Sequence, residues 1–316
     1  MPASLRIVYF GTPQFAVPTL AHLLRSRHTV VGVVTQPDRQ RGRGQKVTAS
    51  PVKALALEHG LPVFQPEKLK TAETLDTIRG WQPDLGVVAA YGRIIPEEML
   101  AIPRLGMINV HASLLPKYRG AAPVHRAVID GEAETGVTIM RVVRELDAGN
   151  MIAKVTRPIG PDDTSDVVEQ DLSELGATLL VDVVDRLAEG EVDEERQDFM
   201  LATYAPKITR EDGLIDWALP ALYIHNRVRG LYPWPHAYTY LDGARLILLK
   251  TTVESESSDA EPGTVVAVSK DAIHVAAGHG SRLAIEQLQA EGKRPMSARD
   301  FLAGRPIQPG ARFTGP

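Results

Sequence analysis

Cysteine is absent from this chain of 316 residues, and so are long apolar runs. Without cysteine the chain can form neither a disulfide framework nor a thiolate metal site, and such a composition is typical of proteins in a reducing cytosol. Only a short apolar run precedes Gly11, and no stretch approaches the ~20 apolar residues of a membrane span. These absences predict a cytoplasmic protein that has neither a signal peptide nor a membrane-spanning segment.

A positive net charge and a nucleotide-type glycine loop are also missing. The formal net charge is -4 at pH 7, which argues against nucleic acid coating the whole surface but permits a local basic patch. The loop "GTPQF" holds the single glycine Gly11, whereas dinucleotide-binding loops carry three, which let a pyrophosphate approach a helix N-terminus. A nicotinamide site is therefore not expected.

Two domains are expected because 316 residues exceed the usual size of one compact core. In the first, β-branched segments at Arg6–Phe10 and Thr29–Thr35 flank a stretch of helical period, and apolar runs at Leu85–Ala90 and Met107–Val110 resemble strands buried on both faces. This pattern predicts an α/β fold with a Rossmann-like, doubly wound, mostly parallel sheet. An amphipathic helix at Ser165–Leu187 is expected to close the domain.

The rest of the chain predicts a linker and a smaller domain. Residues 191–206 begin with an acidic, aperiodic run, as solvated linkers do, so we predict domains at 1–190 and 207–316. In the second, a helix at Pro220–Leu231 precedes five short strands that end near Gln289. An OB-like β-barrel is one candidate among several, because strand spacing does not fix strand order.

Asn109 and His111 follow a predicted buried strand, "MINV". The two-residue period of a strand points both side chains to one face, at the carboxyl end where open α/β sheets bind their ligands. An amide can donate a hydrogen bond to a developing oxyanion, and an imidazole can exchange a proton near neutrality. Both residues suit attack on a carbonyl carbon. Alternatively, they are a satisfied polar pair at a strand end.

Asp147 is the third candidate, in the stretch "RELDAGNMI". Its carboxylate could orient an imidazole or relay a proton through water, with Leu146 packed inward and Gly149 allowing a tight turn. The alternative is an ordinary turn, because an Asp followed closely by Gly is common there.

Two stretches could contact nucleic acid. Residues 35–53 hold five cations against one acid, Asp38, and could bind phosphates or form a solvated surface loop; the cations are Arg39, Arg41, Arg43, Lys46 and Lys53. Residues 225–240, "HNRVRGLYPWPHAYTY", combine arginines with aromatic residues that could meet a backbone and its bases. Those aromatic residues could equally be core, which we expect for Trp234.

Several of these motifs occur in the order typical of one family. The segments "FGTPQFAVPTL", "TQPDRQRGRGQK", "INVHASLLPKYRGAAPVHRAV" and "ETGVTIMRVVRELDAGNMI" resemble those of the methionyl-tRNA formyltransferases, and the resemblance covers nearly the whole chain. The Asn-x-His, the Ser-Leu-Leu-Pro and the later Asp are shared by the wider folate-dependent formyltransferases. The basic loop and the C-terminal third narrow the resemblance to enzymes that act on tRNA.

The resemblance implies that a formyl group passes from 10-formyltetrahydrofolate to the α-amino group of methionyl initiator tRNA, for the initiation of protein synthesis. It implies a catalytic trio of Asn109, His111 and Asp147. It implies folate contacts at Ser113, Leu114, Leu115 and Pro116. It also implies tRNA contacts at Arg39, Arg41, Arg43 and Lys46, an OB-like domain that holds the tRNA, and no metal. A monomer is the default expectation.

Rival interpretations remain at this point. A formyltransferase for an amino-sugar nucleotide could retain a similar second domain, whereas the glycinamide ribonucleotide enzyme resembles only the first. A non-catalytic RNA-binding protein could keep the basic loop and the barrel, but it would have no need of Asn109, His111 and Asp147.

Overall fold

The computed structural model describes residues 4–41 and 46–315, which form two compact units. The first contains the chain up to Pro123 together with Glu134–Pro158 and Glu169–Ala205. The second contains Val124–Ala133, Ile159–Val168 and the chain from Pro206 onward. Within the described residues, no helix combines the length and the apolar character needed to cross a lipid bilayer.

A seven-stranded sheet forms the centre of the first unit. Its strands are, in sheet order, β10 (Met151–Pro158), β9 (Glu134–Arg141), β7 (Met107–His111), β6 (Leu85–Ala89), β1 (Arg6–Gly11), β2 (Thr29–Val34) and β5 (Val63–Phe64). The five strands from β7 to β5 are parallel, and β9 and β10 are antiparallel at one edge. Strand β6 is buried along its whole length, as strands covered on both faces are. The predicted Rossmann-like α/β class is confirmed.

Helices lie between these strands along the chain or follow the last of them, and the local sequence sets where two of them begin. They are α1 (Val17–Arg25), α2 (Pro51–Glu58), α3 (Ala72–Gly80), α4 (Glu97–Leu100), α5 (Pro123–Ile129) and α6 (Ser165–Glu189). The hydroxyls of Ser50 and Thr71 accept the backbone N–H of Lys53 and Thr74, which caps α2 and α3.

A curled antiparallel sheet forms the second unit. Its strands are, in sheet order, β14 (Val265–Val268), β15 (Ile273–Ala276), β16 (Arg282–Ala290), β13 (Ala244–Val253), β12 (Ala237–Leu241) and β18 (Phe313–Thr314), with β17 (Met296–Ser297) beside β16. The unit also holds α7 (Ala221–Gly230) and α8 (Ala298–Gly304). Phe313 N donates to Gly263 O at 2.8 Å, and Val265 N donates to Ala311 O at 2.8 Å. These bonds join the last strand to the segment that opens the sheet, as closure into a barrel requires, and the predicted OB-like barrel is confirmed.

Trp234 lies outside the core of the second unit, contrary to expectation. Its side chain is 49% exposed, because it sits in a turn between Pro233 and Pro235 rather than on a strand with an inward-facing period. Trp217 is buried instead, stacked on Phe313 with ring centroids 5.6 Å apart. Its indole N–H donates to Thr239 Oγ1 at 2.9 Å, which satisfies the buried donor.

Candidate active site

Strand β7 presents Asn109 and His111 on one face of the first sheet. The intervening Val110 points the other way and packs against Gly176 of α6, where an added Cβ would lie 3.0 Å from Val110 Cγ1. Because side chains alternate along a strand, Asn109 and His111 face away from α6. Asn109 is partly exposed and His111 is buried, so the amide can reach a bound molecule beside a largely enclosed imidazole.

The hydrogen-bond partner of His111 fixes which of its nitrogens carries a proton. His111 Nε2 lies 3.0 Å from the backbone oxygen of Tyr118, and a carbonyl can only accept, so Nε2 is the donor. The other nitrogen, Nδ1, lies 3.7 Å from Asp147 Oδ2. The imidazole therefore presents Nδ1 to the carboxylate.

Asp147 is held close to His111 by a strained turn and a backbone donor. Its φ of +47° lies in the left-handed region, which Asp tolerates better than most residues. Asp147 Oδ2 accepts the N–H of Gly120 at 2.8 Å. At Gly149, an added Cβ would lie 1.9 Å from Arg141 O, so this turn admits only glycine there. The structure thus brings His111 and Asp147 together.

The Ser-Leu-Leu-Pro segment forms a turn after β7 that contains a cis peptide between Leu115 and Pro116. Ser113 is fully buried, and its hydroxyl donates to Lys117 O at 2.7 Å. Leu115 is buried in a cluster with Met140 and Met151. Leu114 and Pro116 keep exposed surface. Among the four predicted folate contacts, these two have surface available to a ligand, while the other two hold the turn.

Thr138 is a residue that sequence reasoning missed. It lies opposite His111 on β9 and is fully buried. Its hydroxyl accepts Leu115 N at 3.1 Å and donates to Ser113 O at 2.7 Å. A threonine on a strand carries no signal of such a role, since only the register of β7 against β9 places it beneath the turn.

Arg119 belongs to the scaffold of this site. It is 3% exposed. Its Nε and Nη2 donate to Gln197 Oε1 at 3.1 and 2.7 Å, and its Cζ lies 4.9 Å from the ring centroid of Phe199. These contacts show that Arg119 holds the loop that carries Gly120.

A cavity of about 250 Å³ lies at the carboxyl ends of β1, β2 and β6. Thr12, Gln36, Asp38 and Ser50 are among the residues that line it. Lys53 Nζ donates to Asp38 Oδ2 at 2.5 Å and to Gln65 Oε1 at 2.7 Å. Gln65 Nε2 in turn donates to Asp38 Oδ1 at 2.8 Å. The hydrogen bonds from Lys53 and Gln65 lower the pKa of Asp38, with the Lys53 bond as the main cause. The charge of Lys53 is therefore already paired.

The remaining basic stretch contains a two-stranded hairpin. Strands β3 (Arg39–Arg41) and β4 (Lys46–Thr48) pair antiparallel, with Arg39 opposite Thr48 and Arg41 opposite Lys46. We call residues 39–48 the basic hairpin. Arg43 lies outside the described residues. The structure therefore places the backbone of Arg39, Arg41 and Lys46 in one short hairpin, after the carboxyl end of β2 and beside the residues that line the cavity.

No group of three His, Cys, Asp or Glu side chains is arranged to hold a metal ion in the part of the chain that the structure describes.

Family models match both parts of the chain. The model described as "Formyl transferase" matches residues 5–184, and the model described as "Formyl transferase, C-terminal domain" matches residues 207–306. The chain therefore belongs to the formyl transferase family and is a one-carbon transferase.

Curated relatives indicate which branch of the family the chain belongs to. A methionyl-tRNA formyltransferase of Geobacter metallireducens is 50% identical over 311 residues, which cover 98% of this chain and 99% of the relative. One of Bacillus subtilis is 46% identical over 305 residues, which cover 96% of each chain. Within the formyl transferases, the chain thus belongs with the methionyl-tRNA formyltransferases.

Solved structures share the fold at lower identity. An N-formyltransferase from Helicobacter canadensis, in complex with folinic acid and dTDP-3-aminofucose, gives a TM-score of 0.66 at 18% identity and covers 89% of this chain and 99% of its own. HypX from Aquifex aeolicus with tetrahydrofolic acid gives 0.62 at 16% identity, over 99% of this chain and 51% of its own. Likeness at this level of identity concerns the fold alone.

Proposed function

We propose that the protein transfers the formyl group of 10-formyltetrahydrofolate to the α-amino group of methionyl initiator tRNA, for the initiation of protein synthesis. The observation that carries the proposal is the grouping of Asn109 and His111 on one strand face with Asp147 3.7 Å from the imidazole. The identity of 50% to a methionyl-tRNA formyltransferase over almost the whole chain supports the acceptor. We propose in addition that the enzyme is cytoplasmic and acts as a monomer.

The proposed chemistry assigns each of the three residues a task. The neutral amine attacks the formyl carbon, the bond from that carbon to the folate nitrogen breaks, and a proton passes from the amine to that nitrogen. Asn109 and the protonated His111 would donate to the oxyanion of the tetrahedral intermediate. Because His111 Nε2 is engaged by Tyr118 O, the imidazolium donates through Nδ1. Asp147, 3.7 Å away, compensates the positive charge or accepts the amine proton through water.

The turn after β7 suits a flat, partly apolar donor. Leu114 and Pro116 are half-buried and keep some apolar surface in the turn that follows His111, while Ser113, Leu115 and Thr138 fix the backbone of that turn. The bound folates named for the two structural neighbours support a folate-derived donor for this chain. We propose that Leu114 and Pro116 contact the folate and that Ser113 and Leu115 act by shaping the turn.

The basic hairpin is proposed to hold the acceptor end of the tRNA. Arg39, Arg41, Arg43 and Lys46 would meet phosphates, which give affinity and little sequence information. The cavity lined by Thr12 and Gln36 lies beside it at the carboxyl ends of the strands, where open α/β sheets bind ligands. The OB-like barrel is proposed to contact the same tRNA.

One assay tests the proposal. Formyl transfer from 10-formyltetrahydrofolate is measured with methionyl initiator tRNA, uncharged initiator tRNA and an amino-sugar nucleotide as acceptors. We expect product only with the charged tRNA, with the formyl group on its α-amino nitrogen. Activity confined to the nucleotide sugar would overturn the proposed acceptor and would leave the proposed donor unchanged. Tight tRNA binding without any transfer would favour a non-catalytic RNA-binding protein.

A further inference from the structure

Residues 195–205 run along the first unit and are hydrogen-bonded to two segments beside Asp147. One is the start of β10, and the other is the loop that carries Gly120, whose N–H donates to Asp147. Glu195 and Met151 exchange backbone hydrogen bonds of 2.8 Å in each direction, at the start of β10. Further on, β11 (Tyr204–Ala205) pairs in parallel with β8 (Arg119–Gly120). Ala121 N also donates to Ala205 O at 2.9 Å. The segment expected to be a solvated linker is therefore bonded at both ends to the elements around Asp147.

Gln197 is the residue of this segment that reaches the Asp147 turn. It is 3% exposed. Its Nε2 donates to the backbone oxygens of Asp147 and Gly149, each at 2.8 Å. Its Oε1 accepts two bonds from the Arg119 guanidinium, at 3.1 and 2.7 Å. All four hydrogen-bonding positions of the amide are thus used, and a flipped amide would set donor against donor and acceptor against acceptor.

The bonds of Gln197 act where the backbone is strained. Asp147 has a φ of +47°, a conformation that persists only when its surroundings hold it. Gln197 holds the carbonyl on each side of Ala148, and Arg119, which it orients, precedes the Gly120 N–H that Asp147 Oδ2 accepts at 2.8 Å. One side chain therefore fixes both the turn that carries the carboxylate and the loop that carries its donor.

We propose that Gln197 is a positioning residue for Asp147, which keeps the carboxylate at its place beside His111 Nδ1 during formyl transfer. This inference rests on the proposed function, since it takes Asp147 to be catalytic. Gln197 contacts the turn and not the reacting atoms, so its loss is expected to lower kcat while the KM values for both substrates change little. A displacement of a catalytic group by about 1 Å can cost ~100-fold in rate.

The test uses Gln197→Glu and Gln197→Leu in the full-length protein. Gln197→Glu keeps the side-chain length and an acceptor for Arg119 but removes both donors to the turn; Gln197→Leu removes all four bonds. We expect kcat to fall about 10-fold for the first and up to ~100-fold for the second, with KM values within twofold. An unchanged kcat in Gln197→Leu would overturn the inference.

A double-mutant cycle separates positioning from general destabilisation. Non-additivity reports coupling between residues that act on each other. In an Asp147→Asn background, Gln197→Glu should change kcat by less than twofold, because the carboxylate that it positions is already gone. A loss of kcat as large as in the wild-type background would show that Gln197 acts independently of Asp147 and would contradict the proposal.

His28→Leu is the matched control. His28 is equally buried, at 6% exposed, and makes two side-chain bonds, to Leu5 N and Asp185 Oδ1, both at 3.1 Å. It lies just before β2, at the opposite end of the sheet. Its loss should lower Tm with kcat within twofold of wild type.

Wild-type protein inactive with every acceptor would overturn the proposed function and this inference together, whereas an active wild type with unimpaired Gln197 variants overturns the inference alone.

Discussion

The turn after β7 and the basic hairpin are both rich in polar residues, but the functions proposed for them make opposite demands on those residues. In the turn, the buried polar groups of Ser113, Thr138 and His111 are each bonded to a neighbouring backbone atom. The basic hairpin carries Arg39, Arg41 and Lys46 on two strands of three residues each. Catalysis requires groups held in advance within a fraction of an ångström, whereas phosphate binding requires charge within reach.

From this comparison we expect the largest loss of kcat when one polar group at the end of β7 is removed. Asn109→Ala deletes the proposed donor to the oxyanion, and loss of one such donor typically costs about 100- to 1000-fold in kcat. Asn109 is partly exposed, so the free energy of unfolding should change little. Single-turnover transfer to methionyl initiator tRNA and a thermal melt measure the two quantities. Wild-type activity in the purified variant would refute the catalytic trio.

Substitutions in the basic hairpin should weaken tRNA binding and leave kcat for formyl transfer nearly unchanged. Arg39→Ala, Arg41→Ala and Arg43→Ala together remove three cations, and each lost phosphate contact lowers the salt dependence of binding by about one unit of the log–log slope. We expect the slope to fall by up to ~3, with kcat at saturating tRNA nearly unchanged. Binding of tRNA is measured across a salt series. A slope equal to that of the wild type would remove the hairpin from the tRNA interface.

These two regions also show what the sequence could predict. The buried runs of the first sheet place Asn109 and His111 correctly at the end of β7, because a strand's apolar pattern and period are local properties. The same logic fails for Thr138 and Gln197, which reach the site through strand register and through a segment distant in sequence. Leu146 is 58% exposed rather than packed inward, because the Asp147 turn is fixed by polar bonds and not by an apolar anchor.

We expect Thr138→Val to have an intermediate effect, on stability and on the KM for the folate. Valine keeps the shape of the side chain but leaves Leu115 N and Ser113 O without their buried partner. An unsatisfied buried polar group costs about 1–3 kcal/mol. We expect a lower free energy of unfolding and a raised KM for 10-formyltetrahydrofolate, since the turn shapes the proposed donor site. Thr138→Ser retains the hydroxyl and should restore the KM, and a raised KM in both variants would assign the effect to packing.

We expect the smallest effect on tRNA binding from the removal of Lys53 together with its partner Asp38. Lys53 and Asp38 form an ion pair that is about one-fifth exposed on each side, at 20% and 24%. The double variant Lys53→Gln and Asp38→Asn removes the pair without changing the net charge. Because the Lys53 charge is already neutralised, the slope of tRNA binding against salt should stay at the wild-type value. Stability should fall only slightly, as it does for most partly exposed ion pairs. A slope reduced by a whole unit would show that Lys53 leaves Asp38 to bind a phosphate.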